Sequence, residues 1–179
     1  MGTRMGFIIK LAVILSLMIS GFAEENRFLK SKKENPNLIA FGAGVYDLFR
    51  YNHRYITGFL QIEYKGPDFF GKNLLKVRPF AALMGNFQGS VWIGGGVNFD
   101  IIATKPIIIT LGFGPGFFYR GHGKDLGYPL EMRSSIELAY QFKSYSRLGF
   151  QFYHLSNASL SLRRNPGTEC LVLFYAIPI

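Results

Sequence analysis

The chain has 179 residues, enough for one domain, and no Pro/Ser-rich linker or shift in composition divides it. It carries 20 Lys and Arg against 11 Asp and Glu, but the basic residues are scattered rather than gathered on one helix. That pattern argues against a nucleic-acid partner and fits attraction to an anionic membrane surface. The single cysteine, Cys170, excludes an internal disulfide and any paired-cysteine metal site, so stability must come from the fold itself.

Residues 1–23 begin with Arg4 and Lys10, continue as an apolar run from Leu11 to Ile19, and end in Gly21-Phe22-Ala23 before Glu24-Glu25. This is the three-part grammar of a secretory signal peptide, and the run is well short of the ~20 residues that span a bilayer as a helix. Its removal takes two basic residues and no acid, leaving 18 basic against 11 acidic residues and a net charge of +7. Residues 24–37 are polar and charged and are predicted to be loose.

From residue 38 to 179 no stretch keeps a helical period, whereas alternation with period two recurs in segment after segment. In 56–64, Ile56, Gly58, Leu60, Ile62 and Tyr64 alternate with Thr57, Phe59, Gln61 and Glu63. In 132–142, Ile136, Leu138, Tyr140 and Phe142 alternate with Arg133, Ser135, Glu137, Ala139 and Gln141. The polar faces are rich in Gly, Ser and Gln with a few charges, a set that suits the inside of a narrow barrel, where small residues relieve crowding and charges pair.

Strands are predicted over 39–49, 55–64, 76–84, 90–99, 107–118, 130–142, 146–156 and 168–179. Most approach the ~9–11 residues of a tilted transmembrane strand, and the even count is the one that bacterial outer-membrane barrels need. Lipid cannot hydrogen-bond an open sheet edge, so a spanning sheet must close. The predicted class is therefore all-β: an eight-stranded antiparallel transmembrane β-barrel. Tyr46, Tyr51, Tyr55, Tyr119, Tyr153 and Tyr175, near strand ends, are candidates for interfacial girdles. With the N-terminus in the periplasm, 50–54, 85–89, 119–129 and 157–167 are extracellular and 143–145 is a tight periplasmic turn. The segment 65–75 is a longer periplasmic connection than such barrels usually carry.

Within strand 146–156, Leu148, Phe150, Phe152, His154 and Ser156 share one face, while Arg147, Gly149, Gln151 and Tyr153 share the other. The apolar parity must meet lipid, so His154 and Ser156 are predicted to project outward at the extracellular end. In the last strand Glu169 shares parity with Leu171, Leu173, Tyr175 and Ile177. Residues two apart on a strand lie ~6.7 Å apart and a neighbouring strand ~4.8 Å to the side, so a Ser156–His154–Glu169 hydrogen-bonded chain is feasible if the register aligns Glu169 with His154. Ser156 would then attack an ester carbonyl, with amide donors between Asn157 and Ser159 stabilising the oxyanion. Taken alone, a His and a Ser at a strand end are more often loop-boundary residues than a catalytic pair.

The run His154-Leu155-Ser156-Asn157-Ala158, followed by Asn165-Pro166-Gly167-Thr168-Glu169, resembles the C-terminal signature of the outer-membrane lipid A deacylases of the PagL type. The resemblance implies a cofactor-free esterase of the bacterial outer membrane that removes the 3-O-linked acyl chain of lipid A in the outer leaflet. It implies His154, Ser156 and Glu169 as the triad, and Asn157 as an oxyanion-hole side chain with a backbone donor at Ser159. The chain departs from the pattern in having Ser159 where Gly is common, and in ending on Ile179 rather than an aromatic. Two other functions share the strand pattern: a structural or adhesive barrel, and a hydrolase or acyltransferase acting on phospholipids.

Other polar features are weaker candidates. His53 with Arg50 and Arg54 is predicted to meet head groups or water. His122, in Gly121-His122-Gly123-Lys124, could bind phosphate but is expected in a mobile extracellular loop, and Arg163 and Arg164 could meet lipid phosphates but are expected in a solvated loop. Gly94-Gly95-Gly96 opens no helix and precedes no Lys, so it is no nucleotide loop. No metal ligand set or nucleic-acid partner is expected, and the sequence leaves open whether the barrel forms a homo-oligomer.

Overall fold

The structure is a computed structural model that describes residues 36–49, 55–72, 74–161 and 164–179. The expected signal peptide, almost all of segment 24–37, Arg50, Tyr51, His53, Arg54 and Arg163 lie outside the described residues.

Strict alternation produces long strands: β1 (Leu38–Tyr46), β2 (Thr57–Lys65), the short β3 (Phe70–Lys72), β4 (Leu75–Asn86), β5 (Val91–Thr104), β6 (Ile107–Tyr119), β7 (Leu130–Gln141), β8 (Arg147–Ser156) and β9 (Thr168–Pro178). All pairings are antiparallel. The sheet runs β2-β1-β9-β8-β7-β6-β5-β4, and β2 pairs with β4 from Phe59↔Asn86 to Lys65↔Phe80, which closes the barrel. Eight strands therefore form the wall, as the sequence predicts.

The extra strand, β3, resolves the awkward segment 65–75. It folds back as a three-residue ladder on the start of β4, from Phe70↔Val77 to Lys72↔Leu75, rather than hanging as an open turn. The first strand ends at Tyr46 and not at residue 49, because Asp47 adopts a left-handed conformation (φ 61°) that turns the chain out of the ladder.

The two faces of the wall differ in chemistry. Large apolar side chains such as Phe41, Leu60, Ile93, Phe113, Leu138 and Phe150 are between two fifths and three fifths exposed and point outward from every side. Soluble monomers rarely expose contiguous apolar patches beyond ~300–600 Å², and here the apolar skin encircles the molecule, so lipid is its solvent. The inward face is filled by a mixture of apolar side chains, such as Phe59, Phe80 and Phe174, and buried charges. Glu63 accepts from Arg133 Nη2 at 2.8 Å and from Asn98 Nδ2 at 3.2 Å, and Lys65 bonds Glu137. Asp100 accepts from Arg147 Nη1 at 2.9 Å and from Thr110 Oγ1 at 2.7 Å, with Arg78 Nε 3.5 Å away. Buried charges must be paired in this way, since an uncompensated one costs several kcal/mol.

Trp92 is the largest buried side chain, and it fits because the wall opposite is glycine: a Cβ at Gly116 would stand 2.3 Å from its Cε2. The inward stripe Gly94-Gly96 is thus a packing device on β5. Two of the expected girdle tyrosines prove to be core residues. Tyr46 and Tyr153 lie on the inward parity and are fully buried, whereas Tyr119 and Tyr175 face outward and are exposed.

The two ends of the barrel differ. At one end lie the turn 142–146, held by Tyr145 N–H to Phe142 O (2.9 Å), and the residues flanking the wall, where Ile179 N–H donates to Asn37 O (2.9 Å). At the other lie 87–90, 120–129 and the described residues of the connections 47–56 and 157–167, and this loop end carries the candidate site.

Candidate active site

The register between β8 and β9 sets His154 directly opposite Glu169 and Leu155 opposite Thr168. His154 Nδ1–H donates to Glu169 Oε1 at 3.1 Å, with the two side chains 40% and 21% exposed. Both belong to the outward parity, as does Ser156, so the three residues singled out in the sequence share one lipid-facing stripe at the loop end. Below them the stripe continues as Phe152, Phe150, Leu171 and Leu173, and the Phe152 ring packs against Phe49 at 5.9 Å between centroids. The backbone of Glu169 is fixed as well, because its carbonyl accepts from Leu48 N–H at 3.0 Å.

Gly167 decides where the imidazole goes. One register step beyond Leu155↔Thr168 puts Gly167 opposite Ser156. A Cβ on Gly167 would stand 2.5 Å from His154 Cε1 and 3.0 Å from Nε2, so the ring leans over this glycine with its Nε2 edge toward the Ser156 row. Gly167 also has φ +59°, which side-chain-bearing residues adopt at a cost. Ser134, which β7 places opposite His154 on the other flank, shares the row of His154 and Glu169 rather than that of Ser156 and Gly167.

The two residues expected to form the oxyanion hole are committed elsewhere. Asn157 is fully buried, and its Nδ2 donates to Leu126 O at 3.1 Å and to Arg164 O at 2.8 Å. Ser159 N–H donates to Asn157 Oδ1 at 3.1 Å. Both protons of the Asn157 amide and the Ser159 N–H are thus used in tying down the hairpin 157–167. Asn165, part of the second sequence motif but given no role there, accepts from Asn157 N–H through Oδ1 at 3.1 Å while its side chain stays exposed, so its Nδ2 remains as a donor.

Loop 120–129 is packed rather than loose. Lys124 bonds the buried carboxylate of Asp47, which also accepts from Thr168 Oγ1 at 3.0 Å, one residue before Glu169. Leu126 is buried, and Gly127 packs so close to Arg164 that a Cβ would stand 2.5 Å from its carbonyl oxygen. His122 is exposed and donates its backbone N–H to Gln88 O at 2.9 Å. Among the described residues no group of three His, Cys, Asp or Glu side chains is placed to hold a metal ion.

A closed barrel with an apolar outer skin defines an outer-membrane β-barrel, and its candidate site lies on that skin. The lipid A 3-O-deacylase (PagL) family matches residues 46–178, and the chain belongs to that family of outer-membrane enzymes. In three dimensions it is similar to the crystal structure of the outer membrane enzyme PagL, with a TM-score of 0.61 at 21% identity over 79% of this chain and 99% of that one. It is also similar to the outer membrane protein Ail of Yersinia pestis, with a TM-score of 0.44 at 9% identity over 79% of this chain and 99% of that one. No curated protein matches the chain.

Proposed function

We propose that the chain hydrolyses the 3-O-linked acyl ester of lipid A in the outer leaflet, with Ser156 as nucleophile, His154 as general base and Glu169 as its orienting acid. The observation that carries this reading is the His154–Glu169 hydrogen bond on a lipid-facing surface, with Gly167 leaving room for the Nε2 edge beside Ser156. His154 takes the Ser156 proton through Nε2 while Glu169 holds Nδ1–H and stabilises the imidazolium. The acyl-enzyme forms as the sugar hydroxyl leaves with that proton, and water attacks the new ester in the second half-reaction.

The donors for the oxyanion are Asn165 Nδ2 and the backbone N–H of Ala158, since the Asn157 amide and Ser159 N–H are spent. The sideways opening suits a substrate that stays in the bilayer: the acyl chain lies along Phe152 and Phe150 while the ester rests at head-group depth, with the loop end facing outside.

The test is acyl release, followed by mass spectrometry, from lipid A and separately from phospholipids. Release from lipid A alone is expected. Ser156→Ala should abolish it and Glu169→Ala should lower it by about 10²–10⁴-fold, each leaving the heat-modifiable gel shift of a folded barrel. Release only from phospholipid would make the site phospholipid-directed, and release from neither would leave a structural barrel.

A further inference from the structure

The geometry points to a phosphate-binding fork, made by Arg120 and Arg164, that holds a phosphate group of the lipid A sugar head group above the site. It deepens the proposed function by naming the part of the substrate that the loops grip.

Arg120 Nη1 and Arg164 Nη1 lie 3.7 Å and 3.6 Å from the same atom, Asp125 Oδ2. The two nitrogens are therefore at most about 7 Å apart, the sum of those distances, close enough to hold oxygens of one phosphate. One carboxylate stands against two guanidinium groups, and its other oxygen already accepts from Gly127 N–H at 2.9 Å. The fork thus keeps a net positive charge, with each guanidinium more than half exposed and offering further N–H donors.

The backbones that carry the fork are tied down, that of Arg164 to the residue after Ser156. Arg120 Nε donates to Gly123 O at 3.2 Å, and Ser90 Oγ donates to Arg120 O at 2.6 Å. Arg164 O accepts from the side chain of Asn157, the residue after Ser156. Loop 120–129 is fastened by Lys124 to Asp47 and by Leu126 O to Asn157. Two loops thus converge on one carboxylate over the hairpin that follows the serine. A sugar bearing an ester at one carbon and a phosphate at another is the chemistry that spans such a pair of subsites. Binding there would hold the ester at Ser156 without drawing the acyl chain out of the membrane.

The experiment uses the full barrel in neutral detergent, carrying Ser156→Ala so that no substrate turns over. Binding is measured to bisphosphorylated lipid A and to the same lipid A after enzymatic dephosphorylation. Arg120→Gln with Arg164→Gln should weaken binding to the phosphorylated lipid about tenfold and leave the dephosphorylated lipid unchanged. Lys143→Gln, which removes a positive charge at the other end of the barrel, should alter neither. Inorganic phosphate should compete only at concentrations far above those of the lipid. Equal loss on both lipids, no loss on either, the same loss from Lys143→Gln, or displacement by free phosphate at lipid-like concentrations would each overturn the fork. If the unsubstituted enzyme released no acyl chain while phosphate-dependent binding persisted, the deacylase proposal would fall and the fork would stand.

Discussion

Replacing Gly167 by Ala separates the geometry of the site from the stability of the barrel. The new methyl carbon would stand 2.5 Å from His154 Cε1 and 3.0 Å from Nε2. Carbon atoms in ordinary contact lie ~3.5–4.0 Å apart, so the ring must retreat by about 1 Å or more. Glu169 Oε1 holds Nδ1 at 3.1 Å, so retreat swings the Nε2 edge away from the Ser156 row or breaks that bond. A 1 Å misplacement of a catalytic group costs ~10²-fold, and the left-handed backbone adds about 1–2 kcal/mol of strain. A barrel with an ordinary stability margin of ~5–15 kcal/mol survives the strain. Gly167→Ala should therefore keep its gel shift and lose about 100-fold in kcat for acyl release from lipid A. Unchanged kcat in a folded protein would refute the role given to this glycine and to the tilt of His154.

Three further outcomes follow from the contacts described. Asn165→Ala should lower kcat by about 10²–10³-fold with little change in the urea midpoint, the signature of a lost oxyanion donor; full activity would return that role to another group. Glu63→Ala leaves the buried Arg133 guanidinium without its carboxylate, at a cost of about 3–5 kcal/mol. Trp92, the single tryptophan and a neighbour of Arg133 at 5.4 Å, should report this as a lower urea midpoint in fluorescence. Lys124→Met strands the buried Asp47 carboxylate and should release loop 120–129, seen as faster trypsin cleavage after Arg120; Lys124→Arg, which restores the cation, should return the cleavage rate toward that of the unsubstituted protein.

The wall of the barrel was legible because lipid outside and a crowded interior of small, polar and charged residues impose a two-residue period on nearly every strand. That one parity argument also placed His154, Ser156 and Glu169 on a common stripe before any register was known. The register itself was not legible, since alternation is unchanged by a slip of two, and only the β8–β9 ladder aligns Glu169 with His154. Tyr46 and Tyr153 show how proximity to a strand end misleads: their parity, not their position along the strand, sends them inside. β3 escaped notice because a three-residue ladder is too short to display a period. The commitments of Asn157 were hidden for a different reason. Its Nδ2 donates to the Leu126 carbonyl, 31 residues away, a bond made by the folding of one loop against another that no local pattern records. The Lys124–Asp47 bond was hidden likewise, since nothing in the sequence shows that Asp47 would be buried within reach of that loop.

The central claim is that Ser156, on the lipid-facing side of β8, is an activated nucleophile. It is tested most directly by treating the folded barrel in detergent with a long-chain alkyl fluorophosphonate, which transfers its phosphonyl group to an activated serine with loss of fluoride. Peptide mass spectrometry then locates the label. The account predicts one modified residue, Ser156, with labelling lost in His154→Ala and slowed in Glu169→Ala. Labelling of Ser134 or Ser159 in place of Ser156, or none in a folded, lipid-A-active protein, would contradict it.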